Sequence, residues 1–279
     1  MPEGPEIRRM VDDIERAIAG KSAQTVFFAF EELKPFEGLL RRRQVLNVEA
    51  RSKAVLVHFA ATDQDGPWSV YSHNQLYGKW RTGKTGKAPN TRRQLRFAVE
   101  TEKKTAWLFS ASDIAVVRPE ALADIPYLKR LGPDPLNETV SAEDLIARLA
   151  DSRFRGRGLG GILLDQGFVA GIGNYLRSEI LFEARLSPWH RPRDLNDGER
   201  SRLATAILTM LNRAYALKGI TMDPQRADQL KQQRWSFGLR RHWVFGRGDA
   251  PCHLCGHTIE KTTIASRRLY LCPTCQPRA

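Results

Sequence analysis

Apolar residues recur at spacings of three and four near the start of the chain, as Ile7, Met10, Val11, Ile14 and Ile18, and Gly20 follows. That period predicts an amphipathic helix over 5–19, with Gly20 as its stop. From about 23 to 118 the period shortens to that of strands, with runs at 25–30, 44–49, 54–59, 69–72, 95–99 and 106–109. Turn residues such as Asp65-Gly66-Pro67 and Thr82-Gly83 separate them. So many short strands predict an antiparallel sandwich or barrel. Beyond Pro119 the pattern turns helical, most clearly over 142–150, 174–182 and 198–217, the last with Leu203, Ile207, Met210 and Leu211 on one face. The polar stretch 218–233 has little periodicity and reads as a mobile loop or linker, and 240–277 reads as short strands and turns around four cysteines. The expected class is α+β: a leading helix and β-domain over 1–118, a helical domain over 119–239 and a small module over 240–279.

Composition narrows the function. The 279 residues suffice for one large domain or two ordinary ones, and at 42% hydrophobic and 27% charged they describe a globular protein. No apolar run approaches the roughly 18 residues that a bilayer demands. The start has two early acids and no apolar h-region, so it does not read as a secretory signal, and a cytoplasmic location is expected. Lys and Arg total 44 against 31 acids, a net charge of +13, which predicts a polyanionic partner. From Arg226 to Arg247 six basic residues and one acid alternate with Trp235, Phe237, Trp243 and Phe245. No basic helix with an apolar face is evident there, which favours nucleic acid over a membrane surface.

The four cysteines form two CxxC pairs, Cys252/Cys255 and Cys272/Cys275, with sixteen residues between them. Two such pairs suit one tetrahedral zinc. Two disulfides fit poorly with a cytosolic-looking chain that has no other cysteine, and a redox dithiol would need one pair only. Four protein ligands leave no open position, so the metal is expected to hold a hairpin rather than to catalyse. Ser266 falls at the expected hairpin tip, beside Arg267, and a tip arginine taken alone reads as a phosphate contact.

Three segments stand out: the start Met1-Pro2-Glu3-Gly4-Pro5-Glu6, the stretch from Leu163-Leu164-Asp165-Gln166 through Gly171-Ile172-Gly173-Asn174-Tyr175 to Leu181, and the zinc hairpin. Together they resemble the formamidopyrimidine-DNA glycosylase and endonuclease VIII family. The second is similar to that family's helix–two-turn–helix DNA-binding motif. Gly4 and the run Tyr71-Ser72-His73-Asn74-Gln75-Leu76-Tyr77-Gly78 resemble the endonuclease VIII branch, whose substrates are oxidised pyrimidines. The stretch 61–68 is longer than the family's usual turn, and 218–233, which in relatives often shapes the lesion pocket, has no clear match.

The resemblance implies roles that the residues alone do not settle. Once Met1 is removed, Pro2 offers a secondary amine, with an α-amino pKa of about 7.7–8.0 when unperturbed. The resemblance implies that it attacks the sugar C1′ and forms an iminium; alone, Pro2 is a common second residue. Glu3 is implied as a proton donor, although an acid in a helix's first turn is common. Lys53 is implied as a proton donor near sugar and phosphate, where a lysine is ordinarily a solvated strand end. Arg267 is implied to contact phosphate and assist δ-elimination. Asn174 sits at a helix start whose backbone N–H groups make a natural phosphate site. Arg130 matches a DNA contact, although it also reads as an ordinary exposed arginine. Gln75, Leu76 and Tyr77 match the loop that fills the gap left by an everted base, with strand packing as the alternative for Leu76 and Tyr77. Glu6 and Glu179 either orient the Pro2 amine or lie on a helix surface.

The sequence thus predicts an N-terminal β-sandwich with a leading helix, then a helix–two-turn–helix domain with a zinc hairpin. It predicts a nucleoid-associated monomer acting on damaged double-stranded DNA, with one structural Zn²⁺ and no redox or nucleotide cofactor. DNA is expected in a basic cleft with Pro2 facing Lys53 and Arg267. Two rival readings are an oxidised-purine glycosylase of the sister branch and a non-catalytic zinc-ribbon protein that binds damaged DNA.

Overall fold

The computed structural model of the chain describes residues 2–278. It divides into two compact units: Ile7–Arg130 with Pro2, and Glu3–Glu6 with the chain from Leu131 onward.

Helix α1 (Gly4–Ile18) opens the chain, and Ile7, Val11, Ile14 and Ile18 are buried along one face, as their spacing demands. Strand β1 (Thr25–Phe28) follows, then a short helix α2 (Pro35–Leu40). The strands β2 (Val45–Arg51), β3 (Ala54–Phe59), β4 (Trp68–His73), β5 (Lys79–Lys84), β6 (Leu95–Glu100), β7 (Lys104–Phe109) and β8 (Asp113–Val117) complete the first unit, with α3 (Pro126–Lys129) at its end. They form two four-stranded antiparallel sheets, ordered β1-β6-β7-β5 and β2-β3-β4-β8. The unit is a β-sandwich with a leading helix. Its core joins α1 to Phe28, Val55, Val57, Phe59, Phe97 and Leu108 from both sheets.

Sequence periodicity missed β5 and β8. No residue of β8 is fully buried, so no alternation marks it, and β5 has one buried residue in six.

The long turn 61–68 is tightly anchored. The Asp65 carboxylate accepts from the guanidinium groups of Arg43 and Arg118 and, at 2.7 Å, from the Trp68 indole N–H. Arg118 also lies 3.8 Å from the centre of the Trp68 ring. These donors lower the Asp65 pKa to about 2, the Trp68 and Arg118 hydrogen bonds contributing most. A depressed folded-state pKa adds stability above the unfolded value of about 3.9, and that stability is lost as pH falls toward 2. Asp65→Asn is therefore expected to melt below the parent by a constant margin from pH 5 to 8. The margin should close between about pH 4 and 2, where the parent carboxylate protonates. Thermal unfolding of both proteins across that range checks it; a margin that does not change with pH would remove Asp65 from the account.

The second unit holds α4 (Ala142–Ala150), α5 (Leu159–Ile162), α6 (Asn174–Glu183) and α7 (Asp197–Ala216) around one apolar core. Capping boxes at Ser141 and Asn196 start α4 and α7. Helix α5, two tight turns and α6 form the helix–two-turn–helix. The segment 218–233, expected to be a loop or linker, instead contains helix α8 (Pro224–Gln232). Asp223 caps it through the Arg226 N–H, Pro224 occupies its first turn, and Ala227 and Leu230 pack with Met222 and Trp243. Two buried positions in nine residues give too weak a period to read, although the Asp-Pro start was legible. Helix α9 (Phe237–Arg240) follows, then the hairpin of β9 (Glu260–Ile264) and β10 (Arg267–Leu271). Among the described residues, no helix is long and apolar enough to cross a membrane.

Candidate active site

Glu3 departs furthest from an ordinary first-turn acid. Its side chain is 4% exposed, and its carboxylate reaches the start of α6. Oε2 accepts from the Gly173 N–H at 2.7 Å and the Leu176 N–H at 3.3 Å, and Oε1 accepts from the Tyr175 N–H at 2.9 Å. An anion at these orphan donors complements the positive end of the helix. The approach requires Gly173, because a Cβ there would stand 2.3 Å from the Glu3 carboxyl carbon. Gly171 has φ +89° and accepts the Gly4 N–H at 2.8 Å, and a Cβ on Gly4 would meet Gly171 Cα at 2.9 Å. The G-x-G turn and Gly4 thus let two stretches of backbone touch.

This corrects one expectation. The N–H groups of residues 173, 175 and 176 serve Glu3, so a phosphate at this helix start would have the half-buried Asn174 side chain to meet.

Glu6 accepts from the Glu3 N–H at 3.0 Å and from the Tyr175 hydroxyl at 3.1 Å. Burial and the two carboxylates push the Tyr175 hydroxyl well above its ordinary pKa, so it stays a donor. Tyr175 stacks on His242, with centroids 5.0 Å apart. Burial, aided by the neighbouring Arg241, holds His242 well below its usual value.

Glu179 is not a surface residue. It is fully buried, and its carboxylate gathers the N–H groups of Trp243, Val244 and Phe245 at 2.7–2.9 Å and the Thr221 hydroxyl at 2.7 Å. Burial raises its pKa against these four hydrogen bonds. Its evident work is to fix the chain that returns toward the zinc hairpin.

In the first unit, Pro2 is half-buried, whereas Met1 lies outside the described residues. Lys53 occupies the two-residue turn between β2 and β3, after Ser52 at φ +58°. Tyr127 pins that turn: its hydroxyl accepts the Lys53 N–H at 3.2 Å and donates to Ser52 Oγ at 3.0 Å. The His73 ring lies 4.5 Å from that of Tyr127, and burial, with the Lys53 charge, lowers its pKa. Arg130 ends α3, exposed, with its Nε donating to the Pro126 carbonyl. Gln75, Leu76 and Tyr77 form the tight turn between β4 and β5, and Leu76 and Tyr77 are 63% and 70% exposed. Strand packing is thereby excluded for both.

Arg267 opens β10 at the far end of the zinc hairpin, exposed, just after a tip whose two residues, Ala265 and Ser266, both have positive φ. Sequence reasoning missed what holds this tip. Arg177, on α6, is fully buried and donates to the carbonyls of Gly160, Ile264, Arg267 and Arg268 at 2.7–3.2 Å. Burial lowers its guanidinium to about 10, which still leaves it charged at neutral pH. Nothing local in the sequence marks an arginine as buried, because its partners lie near residues 160 and 264–268.

The four cysteine sulfurs lie within 4.8 Å of one another, with Cys252–Cys275 at 4.0 Å and Cys255–Cys272 at 3.4 Å. Tetrahedral zinc with Zn–S near 2.3 Å needs sulfurs about 3.8 Å apart, so these four thiolates fit it. They hold one structural Zn²⁺.

The chain matches the family described as formamidopyrimidine-DNA glycosylase N-terminal domain over residues 1–112, its H2TH domain over 131–226, and the zinc finger found in FPG and IleRS over 250–278. It is 45% identical over 276 residues to Endonuclease 8 of Escherichia coli (strain K12 / DH10B), covering 99% of this chain and 100% of the relative. The chain belongs to the formamidopyrimidine-DNA glycosylase and endonuclease VIII family. Endonuclease 8 of Shigella sonnei (strain Ss046) is equally similar, at 45% over the same coverage. Among solved structures, Lactococcus lactis Fpg in complex with abasic-site DNA matches with TM-score 0.79 at 19% identity, over 99% of this chain and 100% of that one. MutM in complex with carbocyclic 8-oxo-G containing DNA matches with TM-score 0.80, at the same identity and coverage. These two structures bear out the fold. Like its relatives, this family member is a DNA glycosylase and AP lyase of base-excision repair.

Proposed function

We propose that the enzyme excises oxidised pyrimidines from damaged double-stranded DNA and cleaves the strand by β,δ-elimination, with the Pro2 amine as nucleophile. The observation that carries this reading is the full-length identity to Endonuclease 8, joined to a Pro2-Glu3 start whose carboxylate is fixed at the head of α6. The Pro2 nitrogen attacks C1′, and the C1′–N bond to the damaged base breaks as Glu3 supplies a proton toward base or sugar oxygen. Opening of the C1′–O4′ bond, with a proton going to O4′, then turns the aminal into an iminium that acidifies the C2′ proton; its loss expels the 3′ phosphate, and a second elimination expels the 5′ phosphate. Lys53 serves proton transfer near the sugar, and Arg267 binds phosphate during the second elimination. Arg130, Asn174 and Gln75 contact DNA, and Leu76 and Tyr77 fill the gap in the stack. The division into a catalytic β-sandwich (1–118), a DNA-binding helical domain (119–239) and a zinc hairpin (240–279) belongs to this reading, as does a monomer working at the nucleoid in the cytoplasm.

Borohydride trapping tests it, with thymine-glycol, 8-oxoguanine and simple abasic duplexes run in parallel against the native enzyme and Pro2→Gly. A covalent adduct on thymine glycol that weakens strongly in the variant is expected. Preference for 8-oxoguanine would move the enzyme to the sister branch, and binding without any adduct would leave only a damaged-DNA-binding protein.

A further inference from the structure

The turn Asn74–Gly78 exposes two large apolar side chains, and an exposed turn of that kind would ordinarily be loose. Here it is fastened at three points. The Gly78 N–H donates to the Asn74 carbonyl at 2.7 Å, an approach that leaves no room for a Cβ at residue 78, which would stand 2.6 Å from that oxygen. Ser112 Oγ donates to Gln75 Oε1 at 3.1 Å, and Gln75 itself sits at φ +47°. Arg93 Nη1 donates to the Tyr77 carbonyl at 2.6 Å. The two side-chain clamps share a base: the Ser110 N–H donates to the Gln94 carbonyl at 2.8 Å, which ties the start of the Ser112 loop to the residue after Arg93. Arg93 and Ser112 are both exposed.

We propose that Arg93 and Ser112 are positioning residues that hold the Gln75–Tyr77 turn in its inserting shape before DNA arrives, and so set the rate of base eversion rather than of the chemistry. The inference rests on the reading of Gln75, Leu76 and Tyr77 as the gap-filling turn. Eversion gives up stacking worth a few kcal/mol, which an inserted side chain partly restores. A turn already ordered spends none of that gain on its own ordering. With one lone pair of Gln75 Oε1 engaged by Ser112, its amide keeps two N–H donors and one acceptor lone pair to offer an orphaned base.

The test is stopped-flow fluorescence of 2-aminopurine placed beside thymine glycol in a duplex, paired with single-turnover excision. Arg93→Ala is expected to slow eversion and excision together by about ten-fold, the scale of losing a charged donor. Ser112→Ala should slow both by about three-fold, the scale of a neutral hydrogen bond. Cleavage at a preformed abasic site, where no base has to be unstacked, should change by less than about two-fold. Arg93→Lys and Ser112→Thr, which retain a donor, should recover part of the rate, and all four variants should melt with the parent. If Leu76→Ala and Tyr77→Ala slow eversion while the Arg93 and Ser112 variants match the parent, the clamp is refuted and the gap-filling reading stands. If Leu76→Ala and Tyr77→Ala also leave eversion unchanged, the gap-filling reading fails and takes the clamp with it. A fall of about one in the slope of log affinity against log salt for Arg93→Ala would make Arg93 a phosphate contact and overturn its assignment.

Discussion

Converting Glu3 to glutamine is expected to slow release of thymine glycol from duplex DNA by about 10²- to 10⁴-fold, the range that a positioned proton donor contributes. Two losses combine. The variant cannot give up a proton at the departing base, and it no longer fits its own seat. Both Glu3 oxygens accept backbone N–H groups, so the glutamine amide must point a donor at other donors. Each N–H left without a partner costs about 1–3 kcal/mol. Glu3→Asp keeps the acid but shortens the reach to α6, and it should fall between parent and glutamine. Trapping on a preformed abasic duplex asks for no base departure and should survive in Glu3→Gln. Single-turnover excision of thymine glycol, with the trapping arm beside it, checks the expectation. Excision by Glu3→Gln within three-fold of the parent would leave Glu3 as a structural cap and nothing more.

Removing the zinc is the second large perturbation. Strands β9 and β10 have five residues each, and a hairpin that short is marginal without help. Structural zinc supplies about 10–16 kcal/mol of apparent folding energy in isolated zinc-finger peptides, so chelation or Cys272→Ser should unfold the module around 250–278. The damage should not stop there. Three of the four carbonyls that satisfy the buried Arg177 belong to residues 264, 267 and 268. Hydrogen bonds to a charged group are worth about 1.5–3 kcal/mol each, so α6 would be left holding an undersolvated cation. Activity should drop to background, and the helical core should melt at lower temperature. Metal release by a colorimetric chelator, followed with cleavage and a melting curve, reads all three. A zinc-free enzyme with parental activity and melting temperature would refute the structural role.

The fold was legible where neighbours in sequence carry the signal. Helix α1 announced itself through Ile7, Val11, Ile14 and Ile18, β3 through an apolar run, and the metal site through two CxxC pairs. It was illegible where the partner is remote. The hydrogen bonds of the Glu3 carboxylate span 170 residues or more, and those of Arg177 to the hairpin nearly 90. Glu179 looked like one more helix acid because the amides that it gathers lie some 65 residues downstream. The Arg43–Asp65–Arg118 cluster was hidden for the same reason, and β8 because a strand half-covered on both faces has no alternation to read. The roles proposed for Pro2, Lys53 and Arg267 rest on resemblance, since none of these residue types declares its chemistry by spacing.

The first few residues have no slack. Gly4 is bonded to Gly171, Glu3 fills the opening that Gly173 leaves, and Pro2 is the very next residue. One residue inserted between Pro2 and Gly4 would move either the amine or the carboxylate by about 3.5 Å, a full residue's span. The length of this arm is therefore as much a part of the enzyme as its side chains. An insertion or deletion at the amino end would therefore take the proposed nucleophile and the proposed acid out of register in a single step.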